Sequence, residues 1–279
     1  FLLHFSHTFF MLRYIVLDKA IGQTPLEALN EWKREHPDYL DVPASYAGRL
    51  DPMASGKLLV LLGEECKRQK HYTGLDKEYE VSILLDLATD TGDVLGLPTY
   101  STLHTEPSFY AIQEVLTNEL GTRSHKYPVY SSKTVGGIPL FLHALRGTLG
   151  DIEIPTHSET IFSISLVDTH HVPADAVYGY ISQALRVVPR DDAPSKKEGA
   201  DFRQDEIREA WQLLFAHIPE RTFTIIKIRV VCGTGTYMRS LAERIGHTLG
   251  TTALAVSIHR TKIGKHRTLG PLSFFNPSF

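Results

Sequence analysis

The stretch that most limits the fold is Gly56–Gly63, GKLLVLLG, whose five consecutive large aliphatic residues must be buried whichever secondary structure they adopt. It follows directly on YAGRLDPMASG, Tyr46–Gly56. In that segment Gly48 lets the backbone approach another surface closely, and Pro52 fixes the chain just after Asp51. A carboxylate is thereby held in a rigid, glycine-flanked loop at the edge of the interior, as at the mouth of a cleft. By themselves the same residues also describe an ordinary Asp-Pro turn or a helix start.

With 279 residues, 42% of them hydrophobic, the chain can bury one large core or two small ones. β-Branched runs and alternation predict strands at Arg13–Asp18, Lys77–Leu85, Phe162–Val172 and Arg221–Cys232. A helix is predicted over Thr24–Glu35, where Thr24 can cap and Pro25 suits the first turn. Three more are predicted, at Phe109–Leu120 (Ile112, Val115, Leu116 and Leu120 on one side), Gln204–His217 and Gly235–Leu249. Strands mixed irregularly with helices imply an α+β fold with a mixed or antiparallel sheet. Pro189–Gly199, PRDDAPSKKEG, lacks large apolar groups and reads as a mobile surface loop inside an insertion at 189–203. Residues 1–12 read as an N-terminal extension outside the fold, 13–270 as the folded domain and 271–279 as a short tail. No run of about 18 apolar residues is present, which argues against a transmembrane helix. Cys66 and Cys232 form no CxxC pair, a usage that suits a reducing cytosol and offers no zinc signature.

The net charge of −3 is unpromising for a nucleic-acid protein. Between Phe223 and Gly270, however, Lys227, Arg229, Arg239, Arg244, Arg260, Lys262, Lys265 and Arg267 face a single acid, Glu243. Such a stretch can supply phosphate contacts, or simply be a solvated basic surface.

Five motifs in order carry a resemblance. GRLDPMASGKLLVLLGEECK resembles the signature loop of the TruB family of pseudouridine synthases. YIVLDKAIGQTP (Tyr14–Pro25) is similar to the family's opening strand and turn, and DKEYEVSILLDLATDTGDVLG (Asp76–Gly96) to its K-x-Y strand and T-D-T-x-D turn. YPVYSSKTVGGIPLFLHALRG (Tyr127–Gly147) and VVCGTGTYMRSLAERIG (Val230–Gly246) resemble two further family segments. The resemblance spans about residues 14–264. It implies the pseudouridine synthase catalytic domain, α+β, with a central mixed, largely antiparallel sheet and flanking helices. Motif by motif it places Asp51 on the catalytic aspartate, as nucleophile toward sugar or base or as base toward a ribose proton. Tyr79 falls on the tyrosine that packs against the target base, and Arg239 on the arginine that pairs with the aspartate. Tyr237 falls on a tyrosine lining the uridine pocket, and Ile258 on an apolar pocket residue.

The implied reaction is isomerisation of uridine to pseudouridine in RNA, at uridine 55 in the T-arm of tRNA, by a cytoplasmic monomer. With no redox step and no leaving phosphate, neither a metal nor a small-molecule cofactor is expected. Arginine suits its assigned partner, since a carboxylate in a largely dry pocket needs a fixed cation. The chain departs from the family pattern in places. Tyr46 stands where the family has a stacking histidine, so it can stack but cannot carry an imidazolium charge. Arg49 replaces a small residue, Thr234 a lysine, Phe141 a tyrosine and Leu145 an alanine, while Lys133 sits one position early. No complete PUA domain, which bacterial members often carry, follows Gly270. These differences leave open the same chemistry on another RNA uridine, or a non-catalytic tRNA-binding or folding protein. An unrelated carboxylate hydrolase lacks a recognisable second acid.

Overall fold

The computed structural model describes residues 11–101, 106–188, 203–218, 220–270 and 272–279. Along the chain run β1 (Tyr14–Lys19), α1 (Pro25–Glu35), β2 (Ala44–Tyr46), β3 (Ala54–Leu62), α2 (Gln69–Thr73) and β4 (Asp76–Leu85). They are followed by β5 (Leu87–Thr89), β6 (Pro98–Tyr100), α3 (Phe109–Asn118), β7 (Gly121–Lys126), β8 (Thr134–Val135), β9 (Ile138–Pro139) and α4 (Leu140–Leu145). The remainder comprises β10 (Thr156–Pro173), α5 (Ala174–Val187), α6 (Gln204–His217), β11 (Thr222–Cys232), α7 (Met238–Thr248), β12 (Ala253–Leu269) and β13 (Leu272–Ser278).

The apolar run becomes β3, and a nine-stranded sheet is built around it in the order β1-β3-β12-β4-β11-β10-β7, with β2 on β3 and β13 on β12. Among the described residues only the β3–β12 strand pairing is parallel, so the sheet is mixed and largely antiparallel, as predicted. Strand alternation gives it two apolar faces. Val81, Ile83 and Leu85 of β4 join Ile112, Val115 and Leu116 of α3 and Leu241 and Ile245 of α7 in one cluster. Leu84 of the same strand joins Val177 and Ile181 of α5 and Ile207 and Trp211 of α6 in another. A third cluster packs Ala28 and Leu29 of α1 with Leu58, Val60 and Leu62 of β3. Among the described residues no helix is long and apolar enough to cross a membrane.

Local signals account for several boundaries. Thr24 Oγ1 accepts from the Glu27 amide (3.1 Å) while Glu27 returns a carboxylate oxygen to the Thr24 amide (2.6 Å), a reciprocal cap that starts α1 where expected. The helix predicted from Gly235 starts later, at Met238, because Gly235 has φ +88° and Tyr237 is still extended. Leu120, assigned to the buried side of α3, lies past the helix end and is exposed. The pattern predicts neither α5 nor β12. Within the expected tail, Leu272–Ser278 form β13 against β12. Residues 1–10 of the expected extension, and the whole of the loop expected at Pro189–Gly199, lie outside the described residues.

Gly56 shows how tightly β3 and β12 are joined. Its φ is +96°, and a Cβ there would collide with the backbone carbonyl of Arg260, its register partner. Gly56→Ala is expected to destabilise the fold by about 3 kcal/mol through left-handed strain and this collision. Urea denaturation measures it, and an unchanged midpoint would contradict the tight β3–β12 approach.

Candidate active site

Asp51 lies in the loop from β2 to β3, which buried cations tie down on both sides. Upstream, the Gly48 carbonyl accepts from Arg260 Nη2 (3.1 Å), whose Nε donates to the Lys57 carbonyl (2.6 Å). Downstream, the Pro52 carbonyl accepts from the Gly22 amide (2.9 Å) and, at a longer 3.5 Å, from Lys19 Nζ. The same ammonium donates to the carbonyls of Ala20 (2.9 Å) and Gln23 (2.7 Å). Lys19 and Arg260 are both buried. Burial drives the Lys19 pKa down to about 8 against the pull of the Asp51 carboxylate.

The decisive contact spans the sheet. Arg239, in the first turn of α7, donates from Nε to Asp51 Oδ2 (2.8 Å), from Nη1 to the Thr91 carbonyl (2.6 Å) and from Nη2 to the Tyr130 carbonyl (3.0 Å). A second carboxylate, Asp93, stands 3.8 Å from Nε. The side chain of Asp51 is 45% exposed, whereas those of Arg239 and Asp93 are 6% and 5% exposed. Burial opposes the charge on Arg239, but Asp51 and Asp93 together overcome it and raise its pKa above the ordinary arginine value. Burial also pushes the Asp93 carboxyl up, with Arg239 pulling the other way. Of the two acids, only Asp51 is open to a ligand. It lines a cavity of about 410 Å³ shared with Arg49, Asp93, Tyr237 and Arg239 and walled by apolar groups including Leu95, Phe141 and Ile207. A carboxylate so placed can act as nucleophile or base toward a mostly apolar, planar ligand.

The remaining residues singled out from the sequence fall into two groups. Tyr237 lines the cavity, its ring set edge-on to His157 (5.6 Å between centroids) and Tyr127 (6.2 Å). Burial first, then Asp51, raise its hydroxyl pKa. Tyr79 and Ile258 share a buried cluster with Leu50 behind the Asp51 loop, without lining the cavity themselves. Burial lifts the Tyr79 hydroxyl pKa, and the neighbouring Arg260 opposes the rise. Tyr46 is half-buried on β2 against the cluster of α1 and β3 and is not brought to the cavity wall.

The basic segment is not the free patch its composition implies. Strand register sets Lys227 and Arg229 of β11 on Glu80 (2.8 and 2.9 Å), Lys262 of β12 on Glu78 (3.0 Å) and Lys265 on Asp76 (3.1 Å). Hydrogen bonds from Lys227 and Arg229 hold the Glu80 carboxyl down to about 2. Arg244 is paired with Glu119 and Glu159, and Arg239 and Arg260 are buried in the site. Of the eight cations, Arg267 alone has neither a hydrogen bond nor an ion pair to a described residue.

A family model described as TruB family pseudouridylate synthase (N terminal domain) matches residues 42–179, which include Asp51, Tyr79, Thr91, Asp93 and Tyr130. Over those residues the chain is similar to the TruB family. It is 28% identical over 254 residues to tRNA pseudouridine synthase B of Xanthomonas campestris pv. campestris (strain 8004), covering 91% of this chain and 64% of that one. With tRNA pseudouridine synthase B of Blochmanniella pennsylvanica the identity is 26% over 274 residues, covering 95% of this chain and 82% of the relative. The chain thus spans less than two thirds of the Xanthomonas relative's length. Among solved structures, one described as a crystal structure of a Cbf5-Nop10-Gar1 complex superposes over 90% of this chain and 48% of that chain. Its TM-score is 0.52 at 19% identity, a likeness of fold.

The sequence reading missed Lys19, Thr91, Asp93, Tyr130 and Arg260. A signal existed for two of them: Lys19 closes an apolar strand where a charge has no obvious solvent, and Asp93 sits in the acid-rich T-D-T-G-D turn between apolar elements. Arg239→Met leaves the buried Asp93 without its cation and is expected to destabilise the protein by about 3–5 kcal/mol at pH 7. A carboxyl whose folded pKa lies above its unfolded value costs stability at neutral pH and returns it as pH falls through the folded pKa. The deficit should therefore shrink in urea titrations at mildly acidic pH. A deficit independent of pH would sink this account of Asp93.

Proposed function

We propose that the protein isomerises uridine to pseudouridine in tRNA, at uridine 55 of the T-arm, with Asp51 as the nucleophile. The observation that carries the reading is the Asp51–Arg239 pair: a partly exposed carboxylate held at 2.8 Å by a buried guanidinium, inside an apolar cavity, in a chain similar to the TruB family. In the reaction the N1–C1′ bond breaks, C1′ joins C5, a proton leaves C5 and N1 takes up a proton. Atoms and charge balance without a redox partner, so the reading includes no metal or small-molecule cofactor, and it places the enzyme in the cytoplasm as a monomer. The target base must leave its stack, at a cost of a few kcal/mol offset by contacts in the pocket. Arg239 Nε fixes Oδ2 of Asp51, and no described residue donates to Oδ1, which remains for the substrate. Tyr237, braced by His157 and Tyr127, offers the base an aromatic wall.

A second reading keeps the chemistry and changes the uridine. It is favoured by Tyr46, which packs away from the cavity, and by Thr234, whose hydroxyl donates to the Thr73 carbonyl (2.9 Å) where the family pattern has a lysine. Pseudouridine mapping on an unmodified tRNA transcript separates the cases. Conversion at uridine 55 by wild type, lost in Asp51→Asn with tRNA binding kept within about threefold, is the expected result. Conversion elsewhere reassigns the substrate. Binding without conversion by the wild type would leave a tRNA-binding protein with a dormant site.

A further inference from the structure

Among the described residues, four charged side chains line the Asp51 cavity: Arg49, Asp51, Asp93 and Arg239. Three of them are committed to one another. Arg239 directs Nε, Nη1 and Nη2 at Asp51, Thr91 and Tyr130 and is only 6% exposed, so an incoming anion has little access to it. Of these three, the one exposed charge is the negative Asp51 carboxylate. An RNA strand that delivers a nucleotide here brings its phosphodiesters up to that negative group, in a mouth whose apolar walls screen charge poorly. A cation at the rim is needed, and the strongly basic segment of the chain does not supply it, because seven of its eight cations are paired or buried and Arg267 does not line the cavity.

Arg49 meets that need. It is exposed, lies two residues before Asp51, and makes neither a hydrogen bond nor an ion pair with any described residue. Its backbone is nonetheless fixed. The carbonyl of the preceding Gly48 is held by Arg260, and the following Leu50 is buried in the core, so the Arg49 side chain leaves from a rigid root at the cavity rim. A planar guanidinium, always charged and able to donate two parallel hydrogen bonds, matches a phosphate better than any other side chain. We propose that Arg49 is the phosphate-binding residue of this site, gripping the phosphodiester next to the nucleotide that enters the Asp51 cavity. The assignment rests on the RNA reading above and deepens it.

The test measures the affinity of an unmodified tRNA transcript, and of a T-arm hairpin RNA, across a series of KCl concentrations. Wild type is compared with Arg49→Gln and Arg49→Lys, each first checked for an unchanged urea midpoint. Loss of one phosphate contact should weaken binding by Arg49→Gln about tenfold and lower the slope of log K against log salt by about one. Arg49→Lys should keep the slope and recover part of the affinity. A hairpin with a neutral methylphosphonate beside the target uridine should bind wild type more weakly than the natural hairpin, with little further loss in Arg49→Gln. An unchanged salt slope, or the same methylphosphonate penalty in both proteins, overturns the assignment. These readouts do not depend on turnover. A wild type that binds with the expected slope change but makes no pseudouridine keeps the phosphate contact and removes only the isomerase reading. A wild type that binds no RNA removes both.

Discussion

A guanidinium can remain charged away from water only where acceptors meet its donors, and the half of this molecule around Asp51 is organised around that requirement. Arg239 collects acceptors from three segments far apart in the chain: the Asp51 carboxylate, the Thr91 carbonyl and the Tyr130 carbonyl. One side chain thereby sets the mutual position of three loops that would otherwise be free at the end of the sheet. Lys19 and Arg260 solve the same problem without a direct carboxylate partner, donating to backbone carbonyls on either side of Asp51. The loop is therefore placed by directed hydrogen bonds, which fix orientation as well as distance and hold an exposed carboxylate in one pose.

The same principle explains why the composition of the C-terminal third misleads. Charge counted along a segment ignores what the sheet sets beside it. β4 carries Asp76, Glu78 and Glu80 at alternate positions, and β11 and β12 lie on either side of it with lysines and an arginine in register. A segment that is basic in sequence thus becomes half of a paired ladder. Such exposed and half-exposed pairs add little stability each. Their effect is on surface potential, which they flatten wherever a polyanion could otherwise have bound without specificity.

Much of the fold was legible because local chemistry and global placement agree. Thr24 with Glu27, the LLVLL run, and the apolar spacing of Ile112, Val115 and Leu116 each announce an element that the structure contains. The motifs around Asp51, Tyr237 and Arg239 likewise converge on one cavity. What stayed hidden depends on partners remote in sequence. Residues Ala253–Leu269 mix apolar and basic groups with no clear period, and become a strand because β3 and β4 flank them on both sides. Asp93 reads as one more acid in a turn until Arg239 arrives from 146 positions later. Tyr46 follows its motif in sequence but packs on the α1 side of β3, since β2 is hydrogen-bonded to that strand and shares its apolar cluster.

The position of β12 bears on how such a chain comes to be folded. Strands β3 and β4 are neighbours in sequence, yet they are not bonded to each other: β12, from the far end of the chain, lies between them. A ribosome-bound chain that has exposed only its first two hundred residues therefore holds β3 open on one edge, β4 open on both, and a carboxylate loop lacking both Arg239 and Arg260. Contacts of such long sequence separation form late, after a large loss of chain entropy. Until then the open edges invite pairing with other chains, a hazard ended only by insertion of the last long strand. That same step assembles the Asp51 site, so the site and protection from aggregation are gained together.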